Sequence, residues 1–317
     1  MAYTTINKGS SYFNTVLYTG NGSTQSITGV GFQPDWVWLK GRNVAAGGNL
    51  SDSVRGVNKQ LQSAGTFAEE TLSTCLTSFD SDGFALGSNG NVNGNTNTYV
   101  AWNWYTGATA SANGNGSISS SVSVNTTAGF SIVSWTGTGA NATVGHGLGV
   151  APKWYFVKNR TDVENWIVYH ASNTTAPETD YLQLDNTTAT GDSAGVWNDT
   201  APTTTTFSVG TANSTNGSGD NMIAYCFSEI KGFSKFGEYK GGNANADGPF
   251  VYLGFKPAFI IVRDGDNAEN WLTYDNKRPG YNLNNNHLFV NTTDVETAST
   301  ANTMDFLSNG FKIRSTN

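Results

Sequence analysis

The sequence predicts an all-β chain built as three tandem β-sandwich modules, jelly-roll or lectin-like in character, the third lacking its closing strand. Three observations carry that expectation. One pattern recurs three times along the chain. Its apolar stretches are short and rich in Val, Ile and aromatic residues, the side chains that fit a pleated surface. Between them lie clusters of Gly, Asn, Asp, Thr and Ser, which make turns by tolerating positive φ or by bonding to their own backbone.

The pattern opens on Tyr18-Thr-Gly, Trp135-Thr-Gly and Tyr239-Lys-Gly. It continues with GFQPDWVWLKGRN from Gly31, GVAPKWYFVKNR from Gly149 and GFKPAFIIVRD from Gly254, whose prolines stand at 34, 152 and 257. A proline is tolerated at the start of a strand, where its missing N–H breaks no ladder. The runs behind it, WVWLK, WYFVK and FIIVR, are continuously apolar, as strands buried on both faces are. NWIVYH and NWLTYD follow and alternate instead, with Trp166, Val168 and His170 on one side of the strand and Ile167 and Tyr169 on the other. Trp166 and Trp271 both fall 14 residues after their proline, and Leu50 takes that place in the first copy. Each alternating segment is expected to pair with its predecessor as a hairpin. The last markers are Phe84, Phe207 and Phe311; in the first two copies a closing strand follows, TYVAWNW or MIAYCFS, with its alanine 17 residues after the phenylalanine. Only AGTFAEETLSTCL, Ala64 to Leu76, has helical spacing, and its Thr and Ser content weakens it.

These spacings divide the chain into a module over 1–107, a small polar linker over 108–128, a second module over 129–232 and an incomplete third over 233–317. The junction SEIKGFSKFGEY carries two phenylalanines and should be stiffer than the first linker. By the same spacing the third closing strand belongs near position 328, past Asn317. Two readings stay open: the sequence stops short of the natural end, or another chain donates the strand.

Composition excludes several classes of function. Of 317 residues, 17 are basic and 24 acidic, a charged fraction of 13 % and a net charge of −7. Binding to a phosphate backbone needs a Lys/Arg surface, so nucleic acid is not an expected partner. No run approaches the ~20 apolar residues that span a bilayer, so membrane insertion is not expected. MAYTTINKGSSYF has neither the basic start nor the apolar stretch of a secretory leader. Nine Trp, 13 Tyr and 17 Phe argue against disorder. Cys75 and Cys226, in different modules, read as buried thiols.

Catalytic chemistry finds little to use. His146 and His170 in the second module and His287 in the third show no metal-ligand spacing. VGHGLGVAP, around His146, lacks the Lys-Ser/Thr ending of a phosphate loop, and no Gly-x-Ser-x-Gly elbow occurs. Asp162 with Glu164 and Asp266 with Glu269 are carboxylate pairs of the kind a glycosidase needs, but they repeat at equivalent turns, which is an architectural habit. Asp264 with Asp266, and Asp80 with Asp82, offer hard oxygen donors for a structural Ca²⁺, with Asx turns as the competing reading. For ligand binding the candidates are Trp166, Tyr169, Trp271 and Tyr274, whose rings could stack on sugars if their strands expose a face; the alternative is that they are core.

Several longer segments carry a family resemblance: the opening MAYTTINKGSSYFNTVLYTGNGSTQSITGVGFQPDWVWLKGRN, then DSVRG, LTSFDSDGFALG, TAGFSIVSWTGTGANATVGHGLGVAPK, CFSEIKGFSKFGEYKG and YDNKRPGYN. Together, over essentially the whole chain, they resemble a repeat-bearing family of virion-associated proteins of marine tailed bacteriophages, a domain of unknown function. The resemblance implies a viral setting and a closing strand after the Phe311 segment. The expectation is therefore a non-enzymatic structural protein on the external surface of a tailed-phage virion. It would form a tail-appendage or fibre-like device that attaches to a host glycan or envelope receptor and contacts other virion proteins. By analogy with phage appendages it would be a homotrimer. The competing expectations are a capsid decoration or head-fibre protein with a mechanical role and a virion glycan depolymerase.

Overall fold

The structure, a computed structural model, describes residues 4–241 and 247–314. It is all-β, with antiparallel sheets throughout; the helices among the described residues are three single turns of α-helix and one 3-10 turn. The first copy of the pattern forms β1 (Phe13–Thr19), β2 (Gln25–Thr28), β3 (Trp36–Gly41), β4 (Asn49–Asp52), β5 (Lys59–Gln62), β6 (Glu70–Thr71), β7 (Leu76–Asp80), β8 (Gly83–Leu86) and β9 (Thr98–Trp104). They make a large sheet, β1-β9-β3-β4-β5-β6, and a small one, β2-β8-β7.

The second copy supplies β10 (Ser111–Asn113), β11 (Ser120–Asn125), β12 (Phe130–Thr136), β13 (Ala142–Gly145), β14 (Trp154–Asn159), β15 (Ile167–His170), β16 (Asp180–Gln183), β17 (Gly191–Asp192), β18 (Thr206–Val209) and β19 (Asn221–Phe227). Its large sheet runs β10-β11-β12-β19-β14-β15-β16-β17, and β13 pairs with β18. The third supplies β20 (Phe250–Tyr252), β21 (Phe259–Val262), β22 (Leu272–Asp275), β23 (Asn286–Phe289), β24 (Thr297–Ala298), β25 (Met304–Leu307) and β26 (Gly310–Ile313), in sheets β21-β22-β23-β24 and β20-β26-β25.

The markers take equivalent places. Pro34, Pro152 and Pro257 each stand two residues before β3, β14 and β21, and Phe84, Phe207 and Phe311 are each the second residue of β8, β18 and β26. The opening aromatic packs edge-on against that phenylalanine every time: Tyr18 on Phe84 at 6.4 Å, Trp135 on Phe207 at 5.5 Å and Tyr239 on Phe311 at 6.1 Å. The glycine before Phe84 and Phe311 is dictated by close approach. A Cβ on Gly83 would sit 1.9 Å from the Ile27 carbonyl oxygen, and one on Gly310 2.1 Å from that of Val251.

Two expectations change. Residues 108–128 are not a free linker: β11 pairs along its length with β12, because SVSV alternates and turns Val122 onto a buried cluster. Ala64 to Leu76 is not a helix; Thr and Ser there give turns and the short β6, held by the Leu72 amide donating to the Asn58 carbonyl at 2.8 Å.

The continuous apolarity of the proline-led strands has a specific cause. One face of each large sheet packs on its own small sheet: Val37 and Leu39, Tyr155 and Val157, and Ile260 and Val262 belong to three separate cores. The opposite faces meet in one shared core, where Trp36, Trp38, Trp102 and Trp104 of the first copy pack with Trp154, Phe156, Tyr225 and Phe227 of the second and Trp271 and Leu288 of the third. Trp36 stacks on Tyr225 at 4.5 Å across that boundary.

The copies grip one another head to tail. Lys158 Nζ donates to the Thr66 carbonyl at 3.1 Å, Arg263 Nη2 to that of Thr187 at 2.7 Å, and Lys40 Nζ to that of Thr292 at 2.5 Å. The second copy thus holds the first, the third holds the second, and the first holds the third. A head-to-tail contact that returns to its start is a closed ring.

Candidate functional site

The four aromatic residues predicted to bind ligand are structural. Trp166 and Trp271 are 0 % and 4 % exposed, and their indole Nε1 groups donate at 2.8 Å to the carbonyls of Gln62 and Gln183 in the neighbouring copy. Tyr169 stacks on Tyr155 at 4.7 Å, and the Tyr274 hydroxyl donates to the Asn302 carbonyl at 3.2 Å. All four are buried, although Trp271 and Tyr274 border the cleft beside the third copy. The alternation that suggested an exposed face is real, but each face of these strands is covered by a different core.

Two of the calcium candidates, Asp82 and Asp264, are spent on backbone amides. Asp82 accepts from the amides of Gly29 and Gly31, at 3.1 and 2.6 Å; Asp264 accepts from those of Asp266 and Asn267, at 2.8 and 3.0 Å. Asp80 faces Gly83 across the β7–β8 turn. Carboxylates aimed at N–H groups serve as backbone caps. Among the described residues no three His, Cys, Asp or Glu side chains converge. Asp162 and Glu164 are bridged by one amide, Asn213 Nδ2, at 3.1 and 3.0 Å.

His146 and His170 are held by backbone groups. His146 Nδ1 accepts from the Leu148 amide at 3.1 Å while Nε2 faces the Thr203 carbonyl at 3.2 Å, so the ring is held neutral. Burial lowers the pKa of His146, and that of His170 to about 4. The cysteines are free and buried, and burial raises the Cys75 thiol to about 12.

A cleft of about 1890 Å³ lies beside the third copy among the described residues. Its origin is topological. In the first copy β9 lies between β1 and β3, and in the second β19 lies between β12 and β14. In the third, β21 pairs with β22 on one side, and among the described residues no strand occupies the other. The far wall is formed by residues 233–240, which lie where β1 and β12 lie in the other copies, as the Tyr239–Phe311 contact marks. Phe13, Trp104 and Phe227 line one side of this lane, and Tyr274, Met304 and Phe311 the other. All six residues of β3 and of β14 are buried, whereas in β21 only Ile260 is. Phe259 and Ile261, whose counterparts are Trp36 and Trp38, are left half-buried against the shared core.

A second surface feature is the loop after β22. Tyr281 is 81 % exposed, the most exposed of the large apolar or aromatic side chains described. The loop beneath it is fixed: Asn282 Nδ2 donates to the Phe306 carbonyl at 3.0 Å, the Phe306 amide returns a bond to Asn282 Oδ1 at 2.9 Å, and Asn284 Nδ2 donates to the Asp275 carbonyl at 3.0 Å. Sequence reasoning passed over Tyr281 because an aromatic residue in a Gly/Asn loop carries no periodic signal. The segment RPGYNLNNN, polar except for that ring and Leu283, was the available sign.

Comparison with known proteins yields a family and no function. No curated protein matches the chain, and no solved structure does. A family model described as a domain of unknown function, DUF7483, matches residues 8–317. That span takes in all three copies and the open lane, and the chain belongs to the DUF7483 family.

Proposed function

We propose that this chain is a non-enzymatic structural protein displayed on the outside of a tailed-phage virion, as part of a tail-appendage or fibre-like device that attaches to a cell-envelope glycan. The viral setting rests on the motif resemblance. The attachment role rests on how the aromatic residues are distributed. The tryptophans and most other large rings are committed to the shared core and the three smaller ones, leaving an exterior rich in Asn, Thr, Ser and Gly and poor in charge. Such a surface suits neutral, hydroxyl-rich ligands.

The observation that carries the reading is Tyr281: a ring 81 % exposed on a loop whose flanking asparagine is locked by two hydrogen bonds. An aromatic face held rigidly among amide side chains stacks on a sugar at little entropic cost. Purified protein should compete with the phage for adsorption to host cells, and Tyr281→Ala should weaken that competition about tenfold or more while leaving the unfolding midpoint unchanged. Adsorption unaffected by saturating protein would remove the attachment role and favour a mechanical, capsid-decorating one.

A further inference from the structure

We infer that the outward face of the small sheet in the third copy, around Phe250 and Tyr252, is a binding platform for a neutral, β-linked saccharide chain. The platform uses other residues than Tyr281, and the inference stands whether or not the chain attaches a virion to a cell. It rests on comparison with the two sister sheets of the same molecule.

The three small sheets share one register. Val251 stands opposite Phe311, as Ile27 stands opposite Phe84 and Val144 opposite Phe207, and each pair turns inward to the core of its own copy. Successive side chains of a strand point to opposite faces, so the residues on either side of Val251, Ile27 and Val144 turn outward. At those places the first copy carries Ser26 and Thr28 and the second Thr143 and Gly145, whereas the third carries Phe250 and Tyr252. These two rings are 44 % and 56 % exposed, and neither belongs to the core of the third copy. Small side chains thus give way to a pair of rings in one copy, at places where the fold does not ask for them.

Both rings are held in place. Phe250 packs against Gly310 on the neighbouring strand, where a Cβ would lie 3.0 Å from its Cε2. Lys235 Nζ sits 5.7 Å from the Tyr252 ring centroid and donates to the Tyr252 carbonyl at 3.2 Å. Two residues apart on one strand, the rings form a row about 6.8 Å long. Size and charge then select the ligand. At these exposures the two rings offer about 200 Å², a quarter of the ~800 Å² that each partner contributes to a stable protein interface. The charged side chains around the face are already paired, Lys312 with Asp247 at 2.7 Å and Arg314 with Asp305 at 2.8 Å, so an ionic ligand would have to break those pairs. A pyranose with equatorial hydroxyls meets both conditions: its C–H face stacks on a ring and its hydroxyls reach the paired charges at the rim. A β-linked chain of such units is extended and lays successive faces along the row.

The test is calorimetric titration of the chain with cellohexaose. Wild type should bind it, and replacing both rings by their first-copy counterparts, Phe250→Ser with Tyr252→Thr, should weaken binding at least about tenfold while leaving the unfolding midpoint unchanged. Tyr252→Thr alone, which removes the more exposed ring, should weaken it by a smaller factor and carries the test where the double variant does not fold. Tyr281→Ala should leave this binding in place. No binding at millimolar cellohexaose, equal affinity in wild type and the ring variants, or loss of binding in Tyr281→Ala with the ring variants unaffected would overturn the proposal. The readout is separate from host adsorption: phage adsorption that saturating protein leaves unchanged, beside intact cellohexaose binding, removes the attachment reading and keeps this one.

Discussion

At the scale of the residue, the base that ends each proline-led strand is the least expected feature. Lys40 and Lys158 sit at the inner end of buried strands, and burial lowers both amines to about 8, against the pull of nearby carboxylates. Each nevertheless has two carbonyl acceptors. Lys158 Nζ reaches Thr66 and Glu164, and Lys40 Nζ reaches Ala46 and Thr292. Lys158→Met keeps the stem and leaves two carbonyls short of a partner, which should cost about 1–3 kcal/mol at neutral pH. The pH dependence has a defined sign. Between pH 8 and the ordinary lysine value of 10.5, the unfolded chain holds a proton at this position that the folded chain does not, so the lysine contributes stability that grows as pH rises. Urea unfolding at pH 7, 8 and 9.5 should show the gap between wild type and Lys158→Met widening above pH 8. A constant gap would mean that the amine is not desolvated.

At the scale of the element, the three seams of the ring are alike in backbone and unlike in charge. The Glu69 amide donates to the Arg160 carbonyl at 2.9 Å, the Glu296 amide to that of Arg42 at 2.7 Å, and the Thr190 amide to that of Gly265 at 2.9 Å. Among the described residues only the first two carry ion pairs; at the third Arg263 donates to the Thr187 and Thr188 carbonyls instead. Glu69 bridges Arg160 and the buried Arg55, and Glu296 bridges Arg42 and the buried Arg278. Arg55 and Arg278 are further tied to Asp52 and Asp275. Glu69→Ala leaves two guanidinium groups without their shared partner and should cost about 3 kcal/mol or more. Thr190→Ala, at the seam without an ion pair, should cost about 1 kcal/mol. Chemical denaturation of the two variants checks the order, and equal costs would show that the ionic seams add nothing.

Much of this element pattern is legible in the sequence and some is not. Pro34, Pro152 and Pro257, and Phe84, Phe207 and Phe311, mark equivalent strands because each answers a local demand for strand entry or core filling, and local demands repeat with the sequence. That no described strand fills the third lane accords with the same spacing. The fate of Trp166 and Trp271 is not, since an alternating strand reads the same whether its second face meets water or another copy. The paired Asn93 and Asn216 also escape notice. Each is fully buried, with its Nδ2 on two backbone carbonyls, Ser23 and Gly87 or Ala140 and Gly210, but a lone asparagine among many looks like surface.

At the scale of the whole molecule, beads on a linker would be the simplest reading of tandem repeats, and the structure differs from it. The wide sheets turn their aromatic faces inward to one core, and buried bases and indoles stitch each copy to the next. We infer from this that the three copies behave as one folding unit, because none of the large sheets can keep its tryptophans covered alone. Differential scanning calorimetry of the intact chain, with Trp36→Ala beside it, tests that claim most directly. Wild type should unfold in a single transition whose calorimetric and van't Hoff enthalpies agree, and Trp36→Ala, at a cost of about 3–5 kcal/mol, should move the entire transition to lower temperature. Two or three separable transitions, with the substitution shifting only one of them, would contradict the shared core.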